Sequence, residues 1–344
     1  MATASIGSSG RDYSTVQAWE DALAGTLTEA EVGECHNDSE FDLGSSNILT
    51  IAGHTTSATN TITLKCAAGK SFSDNANVRT NALRYNASNG VAFKSSGTYT
   101  DLIAVQDAYV TIEGLQVYAS SGPTRAITNL SDDNCTYRNL VVEAENSGSL
   151  AVCRLGYGSS VLAVNVLAVN RGTGGQGIEI GNGGRAINCV AVRPSNITAA
   201  GDGFGYYYGT PRMDNCASFG FTTAVESSGS WSGSSSNNAT DQASGLPGSG
   251  TNYSVTYSST TPFVSADESG GSHDFRLAND GNDLIDAGTE DATNAPTDIS
   301  GQARDTACEI GVWELAAAPA GGQPYMKRVG GVPFMAGTGG RGVW

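Results

Sequence analysis

The chain is poor in charge. Only 15% of its 344 residues are Asp, Glu, Lys or Arg, against about 25% in an average soluble domain. Cations are the scarcer kind: 18 Lys and Arg face 34 Asp and Glu, a net charge of −16. A surface this acidic repels phosphate backbones and anionic bilayers, so neither nucleic acid nor a membrane is expected as a partner. Long hydrophobic runs are also missing. Val161 to Val169 is the longest, and Asn165 interrupts it, far short of the roughly eighteen apolar residues of a spanning helix. The N-terminus, MATASIGSSGRDY, has neither the basic nor the apolar region of a secretory signal.

Histidine is rare, and the seven Cys include no CxxC pair. A disulfide framework, a zinc site or another bound cofactor is therefore not expected. His36, His54 and His273 stand in no motif, so no Ser-His-Asp set can be drawn and each reads as a surface side chain. Gly69-Lys70-Ser71 lacks the upstream glycine of a phosphate loop.

What the chain has is Gly (45 residues), many Ser, Thr and Asn, and 39% hydrophobic residues. That is too apolar for disorder and suits a turn-rich all-β protein. An internal repeat gives the architecture. Gly114-Leu115, Asn139-Leu140, Asn165-Val166, Asn188-Cys189 and Asn215-Cys216 recur at spacings of 25, 26, 23 and 27, and Asn238-Ala239 extends the series by 23. A second series of short apolar strands, around Ile127, Val152, Ile178, Phe204 and Val225, keeps nearly the same drifting period.

Two or three short strands per repeat, without a leucine-rich frame, predict an all-β right-handed parallel β-helix. Successive turns would stack at about 4.8 Å. Asn139, Asn165, Asn188 and Asn215 would then form a ladder at one bend, where Asn tolerates the left-handed conformation and bonds to the neighbouring turn. On that reading Asn165→Leu and Asn188→Leu each cost ~1–3 kcal/mol. Leu115, Leu140, Val166, Cys189 and Cys216 would point inward, the cysteines acting as small apolar residues, as would Cys66, Cys135 and Cys153.

The boundaries read as follows. Residues 1–47 form an N-terminal cap with the first strands, including a helix over Asp12–Leu23 capped by Ser14. Residues 48–244 carry the repeats, 245–314 irregular closing turns, and 315–344 an extended arm. The arm holds Lys327, Arg328 and Arg341 and no acid, so it carries +3; the other fifteen cations against 34 acids leave −19 on the body.

GSSGRDYSTVQAWEDAL (Gly7 to Leu23) is similar to the N-terminal cap of right-handed parallel β-helix repeat proteins of phages and bacteria. DFRLANDGNDLIDAG and DISGQARDTACEIGVWE, from Asp274 to Glu314, resemble the closing turns of that group, on Leu277, Ile285, Asp286, Ala287, Gly288, Gly301, Arg304, Ile310, Gly311 and Glu314. The KRVGGVPF…GRGVW ending resembles C-termini of phage virion proteins. The resemblance implies a structural protein on the capsid exterior, a decoration or cement protein and a homotrimer. Its arm would engage the major capsid protein or another virion protein through Tyr325, Met326, Lys327, Arg328, Phe334, Arg341 and Trp344. A chain that opens directly on a coil cap, without a separate anchor module, fits that role.

The alternative is a tail spike or fibre that binds or depolymerises a host surface glycan; a bacterial surface protein is a third possibility. Glu179, Asp202 and Glu226 fall on successive copies of the second strand and are the best carboxylate set for glycoside cleavage, which needs a pair ~5–9.5 Å apart. An acidic coil generates such sets by coincidence, so no residue is assigned as catalytic. Arg185, Arg193 and Arg212 are too scattered for a uronate site. Tyr206, Tyr207, Tyr208 and Trp231 could stack on sugar, with at least one of the three Tyr expected inside because neighbours on a strand alternate.

Overall fold

A computed structural model describes residues 1–315, apart from 45–47, 96, 98–100, 121–124, 132, 147, 157–159, 228, 249, 270–271 and 279–282, and beyond 315 only 328–329 and 332–333. The chain is a right-handed parallel β-helix. Its first sheet is ten strands deep. It runs from Ala2–Ile6 through Glu31–Cys35, Ile62–Cys66, Val110–Glu113, Thr136–Ala144, Leu162–Asn170, Val190–Val192, Ala217–Phe219 and Ala239–Thr240 to Tyr253–Ser254. At ordinary strand spacing this stack is about 45 Å long. The second sheet stacks Leu49–Ile51, Asp101–Val105, Arg125–Asn129, Cys153–Leu155, Ile178–Ile180, Asp202–Tyr206 and Thr223–Val225. Coiling thus begins at the second residue, and the cap lies inside the first turn.

The capping helix is shorter than its sequence periodicity suggests. It spans Val16–Glu20, and Thr15, not Ser14, is the N-cap, its hydroxyl accepting from the Ala18 amide at 3.1 Å. Val16 and Trp19 close the end of the coil, and the Trp19 ring lies over Gly33, where a Cβ would come within 2.9 Å of it.

At the bend, Gly114, Asn139, Asn165, Asn188 and Asn215 all adopt φ between 52° and 76°. That left-handed conformation favours Gly and Asn. The sixth rung is Asn237 (φ 53°) and not Asn238. Ala217 pairs with Ala239, so Asn238 takes the inward place of Cys216. There it is fully buried and donates to the Met213 carbonyl at 3.1 Å. The inward column of Leu115, Leu140, Val166, Cys189 and Cys216 is completely buried. All seven cysteines are free; Cys66 is half-buried and the others are buried.

The outer face of the first sheet is buried as well. Val141, Leu167, Val169, Val190, Val192, Ala217 and Phe219 point away from the coil interior into a second core. Residues 263–313 cover them with Phe263, Phe275, Leu277, Leu284, Ile299, Ile310, Val312 and Trp313. The closing segment therefore does not stack as further turns but folds back along the wall. Each such side chain stabilises by roughly 1.5–3 kcal/mol. The two-sided burial explains why these strands read as unbroken apolar runs (LVV, VLAV) instead of alternating.

This segment also occupies the Asn ladder. Asn165 donates to Asn139 Oδ1 at 2.9 Å and to the Thr297 carbonyl at 2.8 Å. Asn215 donates to the Thr289 carbonyl at 2.7 Å, and Asn237 to Thr289 Oγ1 at 2.9 Å. Asn188 is fully buried, and neither atom of its amide has a hydrogen-bond partner among the described residues.

An ionic network seals the edge of the fold-back. His273 is 2% exposed, with Nε2 2.9 Å from Glu143 Oε1 and Nδ1 2.6 Å from Glu268 Oε2. Arg171 bridges Glu268 at 2.5 Å and Glu143 at 3.5 Å. His273 is thus no surface side chain; burial hides it only because two carboxylates flank it. Burial alone would lower its pKa, but the hydrogen bonds and charges of Glu143 and Glu268 prevail and push it up to about 9.

Candidate functional site

The second sheet carries the carboxylate set found from the sequence. Strand register places Arg154 opposite Glu179, and Glu179 opposite Gly205. Val225 pairs with Phe204, so Glu226 follows beside Gly205. Side chains of this column point outward because their neighbours, Cys153, Leu155, Ile178, Ile180, Phe204 and Val225, fill the interior.

Asp202 does not belong to the column. It pairs with Thr223, three residues earlier in the strand. The three acids are therefore not one ladder, because the repeat between Phe204 and Val225 is short and the strand starts with Asp202. A different residue links them. Gln176 Nε2 lies 3.4 Å from Asp202 Oδ2 and 3.2 Å from Glu226 Oε2. It crosses over Gly205, where a Cβ would stand only 2.5 Å from the Gln176 amide oxygen. Glycine keeps that lane open. Glu226 also accepts from the Tyr206 amide at 3.2 Å. Glu179, 6% exposed, is held by Arg154, Nε to Oε1 2.7 Å.

The three tyrosines do not alternate as expected. The strand ends at Tyr206, and the chain leaves the sheet, so none of the three enters the core. Tyr206 is half-buried, while Tyr207 and Tyr208 are 39% and 40% exposed. The two exposed rings meet edge to face at 5.5 Å. The Arg154 guanidinium lies 4.8 Å from the centre of the Tyr207 ring, a cation–π contact that steadies it. Trp231 donates Nε1 to the Glu226 carbonyl at 3.3 Å. The result is an aromatic shelf beside a row of fixed carboxylate, amide and guanidinium groups. Flat apolar rings beside planar hydrogen-bonding groups suit a polyhydroxylated ligand.

Of the arm residues, Tyr325, Met326, Lys327, Phe334, Arg341 and Trp344 lie outside the described residues. Arg328 belongs to the two-residue strand Arg328–Val329, antiparallel to Val332–Pro333. Arg193, one of the scattered arginines, is fully buried and donates to the carbonyls of Ala199, Gly174 and Gly175. Burial lowers its pKa to about 10. It is a core staple, unavailable to a ligand. Arg185 and Arg212 converge on Asp214, at 2.7 and 2.8 Å.

No protein-family model matches the chain, and no curated protein matches it. Among solved structures the chain is similar to that of pectate lyase Pel9A, with a TM-score of 0.43 and 13% identity over 91% of this chain and 97% of that one.

Proposed function

We propose that this protein is a structural component of a phage virion, a capsid decoration or cement protein whose acidic rod projects from the shell while its basic C-terminal arm holds it there. One observation carries the reading: Glu314, the last residue before the basic arm, is anchored in the fold. Glu314 is buried, its amide donates to Asp298 at 2.8 Å, and its carboxylate pairs with Arg304 at 3.1 Å. The last thirty residues carry +3 against −19 on the rest. An acidic rod resists nonspecific aggregation, and an arm bearing Tyr325, Phe334 and Trp344 has the residue types that dominate interface energies. The resemblance of Gly7–Leu23 and Asp274–Glu314 to right-handed parallel β-helix repeat proteins of phages and bacteria is compatible with this role, with the major capsid protein or another virion protein as partner and a homotrimer as the assembly. A reconstruction of the particle tests it. Many copies spread over the shell are expected; a few copies at one vertex, or none, would overturn the assignment.

A second reading rests on the aromatic shelf. Tyr207 and Tyr208 beside Arg154 favour glycan binding by a spike-like protein. Calorimetric titration with host surface polysaccharide should then give heat that Tyr207→Ala and Tyr208→Ala abolish. Loss of polysaccharide viscosity on incubation would point instead to cleavage by the acids around Gln176.

A further inference from the structure

We infer that Glu20, His54 and Asp107 form a binding site for one divalent transition-metal ion of the zinc type, clamping the capping helix to the coil. The three residues are far apart in sequence. Glu20 ends the capping helix, His54 follows strand Leu49–Ile51, and Asp107 follows strand Asp101–Val105. Stacking of those two strands in one sheet brings the two loops together beneath the helix. One ligand atom from each lies within 4.8 Å of the other two. The site is enclosed: the side chains of Glu20 and His54 are 6% and 7% exposed, and Asp107 is 8% exposed.

The tautomer of His54 is the informative detail. Nδ1 lies 3.1 Å from the Ala24 carbonyl, which can only accept, so Nδ1 carries a hydrogen. Nε2 lies 3.0 Å from Glu20 Oε1, a second acceptor. Two lone pairs facing each other need a positive charge between them. A proton on Nε2 provides one solution and a metal ion the other. A backbone carbonyl fixing the second ring nitrogen is the usual support of a metal-ligating histidine.

The carboxylates are placed for the same task. Glu20 accepts from the Ala52 amide at 2.8 Å and from Gln17 Nε2 at 2.7 Å. Asp107 accepts from the Gly53 and His54 amides at 2.9 and 3.1 Å. These donors orient both groups without neutralising them. Among the described residues, no Lys or Arg pairs with either acid, so two buried carboxylates share a single imidazole. The 3.0 Å gap between Nε2 and Oε1 is already close to the separation of two ligands on one ion with bonds of about 2.0–2.2 Å. Asp107, with a carboxylate oxygen within 4.8 Å of both, would supply the third ligand. One imidazole and two carboxylates suit zinc better than calcium, which takes six to eight oxygens, or magnesium, which keeps its waters. A water would fill the remaining position.

The test uses the full chain, stripped with a chelator and titrated with Zn²⁺ alone. One ion per chain should bind, and the thermal unfolding midpoint should rise with Zn²⁺ concentration. His54→Gln and Asp107→Asn should each weaken binding at least about tenfold and abolish the midpoint shift. Circular dichroism identifies any variant that fails to fold, and Glu20→Gln provides an independent third variant. Co²⁺ in place of Zn²⁺ should give visible d–d absorption in the wild type that His54→Gln removes. Absence of stoichiometric binding overturns the proposal, as does Zn²⁺ binding that folded His54→Gln and Glu20→Gln leave unchanged.

Discussion

Arg304 and Glu314 meet in a buried ion pair, Nη1 to Oε2 3.1 Å, within the closing segment. Arg304 also donates to the carbonyls of Glu309 and Gly311, at 3.1 and 2.6 Å, and approaches Asn165 Oδ1 at 3.4 Å. One guanidinium thus ties the closing segment both to itself and to the Asn ladder. Replacing it by Met leaves Glu309 and Glu314 facing each other without a cation. Breaking a buried pair from one side costs about 3–5 kcal/mol. Arg304→Met should lower the urea midpoint accordingly, and an unchanged midpoint would contradict this role.

The Asn ladder separates two costs that the sequence merges. Asn165 has three side-chain partners, whereas Asn188 has none among the described residues. Gly adopts the left-handed bend freely. Asn165→Gly should therefore cost ~1–3 kcal/mol through lost hydrogen bonds, and Asn188→Gly should cost clearly less. Equal losses in denaturant unfolding would mean that the ladder acts through backbone conformation alone. Asn165 thus makes side-chain hydrogen bonds at the bend, and Asn188 makes none among the described residues.

Stability should fall on the alkaline side. The pKa of His273 is raised in the folded state to about 9, from an ordinary 6.5. Its contribution is fully present below pH 6.5 and is lost as pH rises toward 9. Burial, and then the neighbouring Glu314, push Glu309 up to about 9 from 4.5. It keeps a proton that the unfolded chain releases, so it too favours folding less as pH rises from 4.5 to 9. The shift at His273 alone corresponds to on the order of 3 kcal/mol. Unfolding free energies measured from pH 6 to 9.5 should decline, and His273→Gln should flatten the upper part of the profile. A wild-type profile flat across that range would refute the assignment.

The coil was legible because its period is written in the residues themselves: Asn139, Asn165, Asn188 and Asn215 recur at the same left-handed bend of successive turns. The fold-back of residues 263–313 was not, although Val141, Leu167 and Val190 carried a signal in strands apolar on both faces. The clusters at His273 and His54 were invisible for another reason. Their partners lie 130 residues away at Glu143 and 34 away at Glu20; the fold-back brings the first pair together and the stacking of turns the second. On the second sheet, Glu179 and Glu226 were found from strand spacing. Gln176 and Arg154, which organise the acids, carry no motif.

Attachment by the arm is the central claim, and truncation tests it most directly. A chain ending at Leu315 keeps Glu314, Arg304 and the whole second core, so its unfolding midpoint should match that of the full-length protein. Both forms would be mixed with particles lacking this protein and sedimented. The full-length protein should pellet with the particles, and the truncated protein should stay in the supernatant. A truncated protein that folds normally and pellets to the same extent as the full-length chain would contradict the account and move attachment onto the wall of the rod.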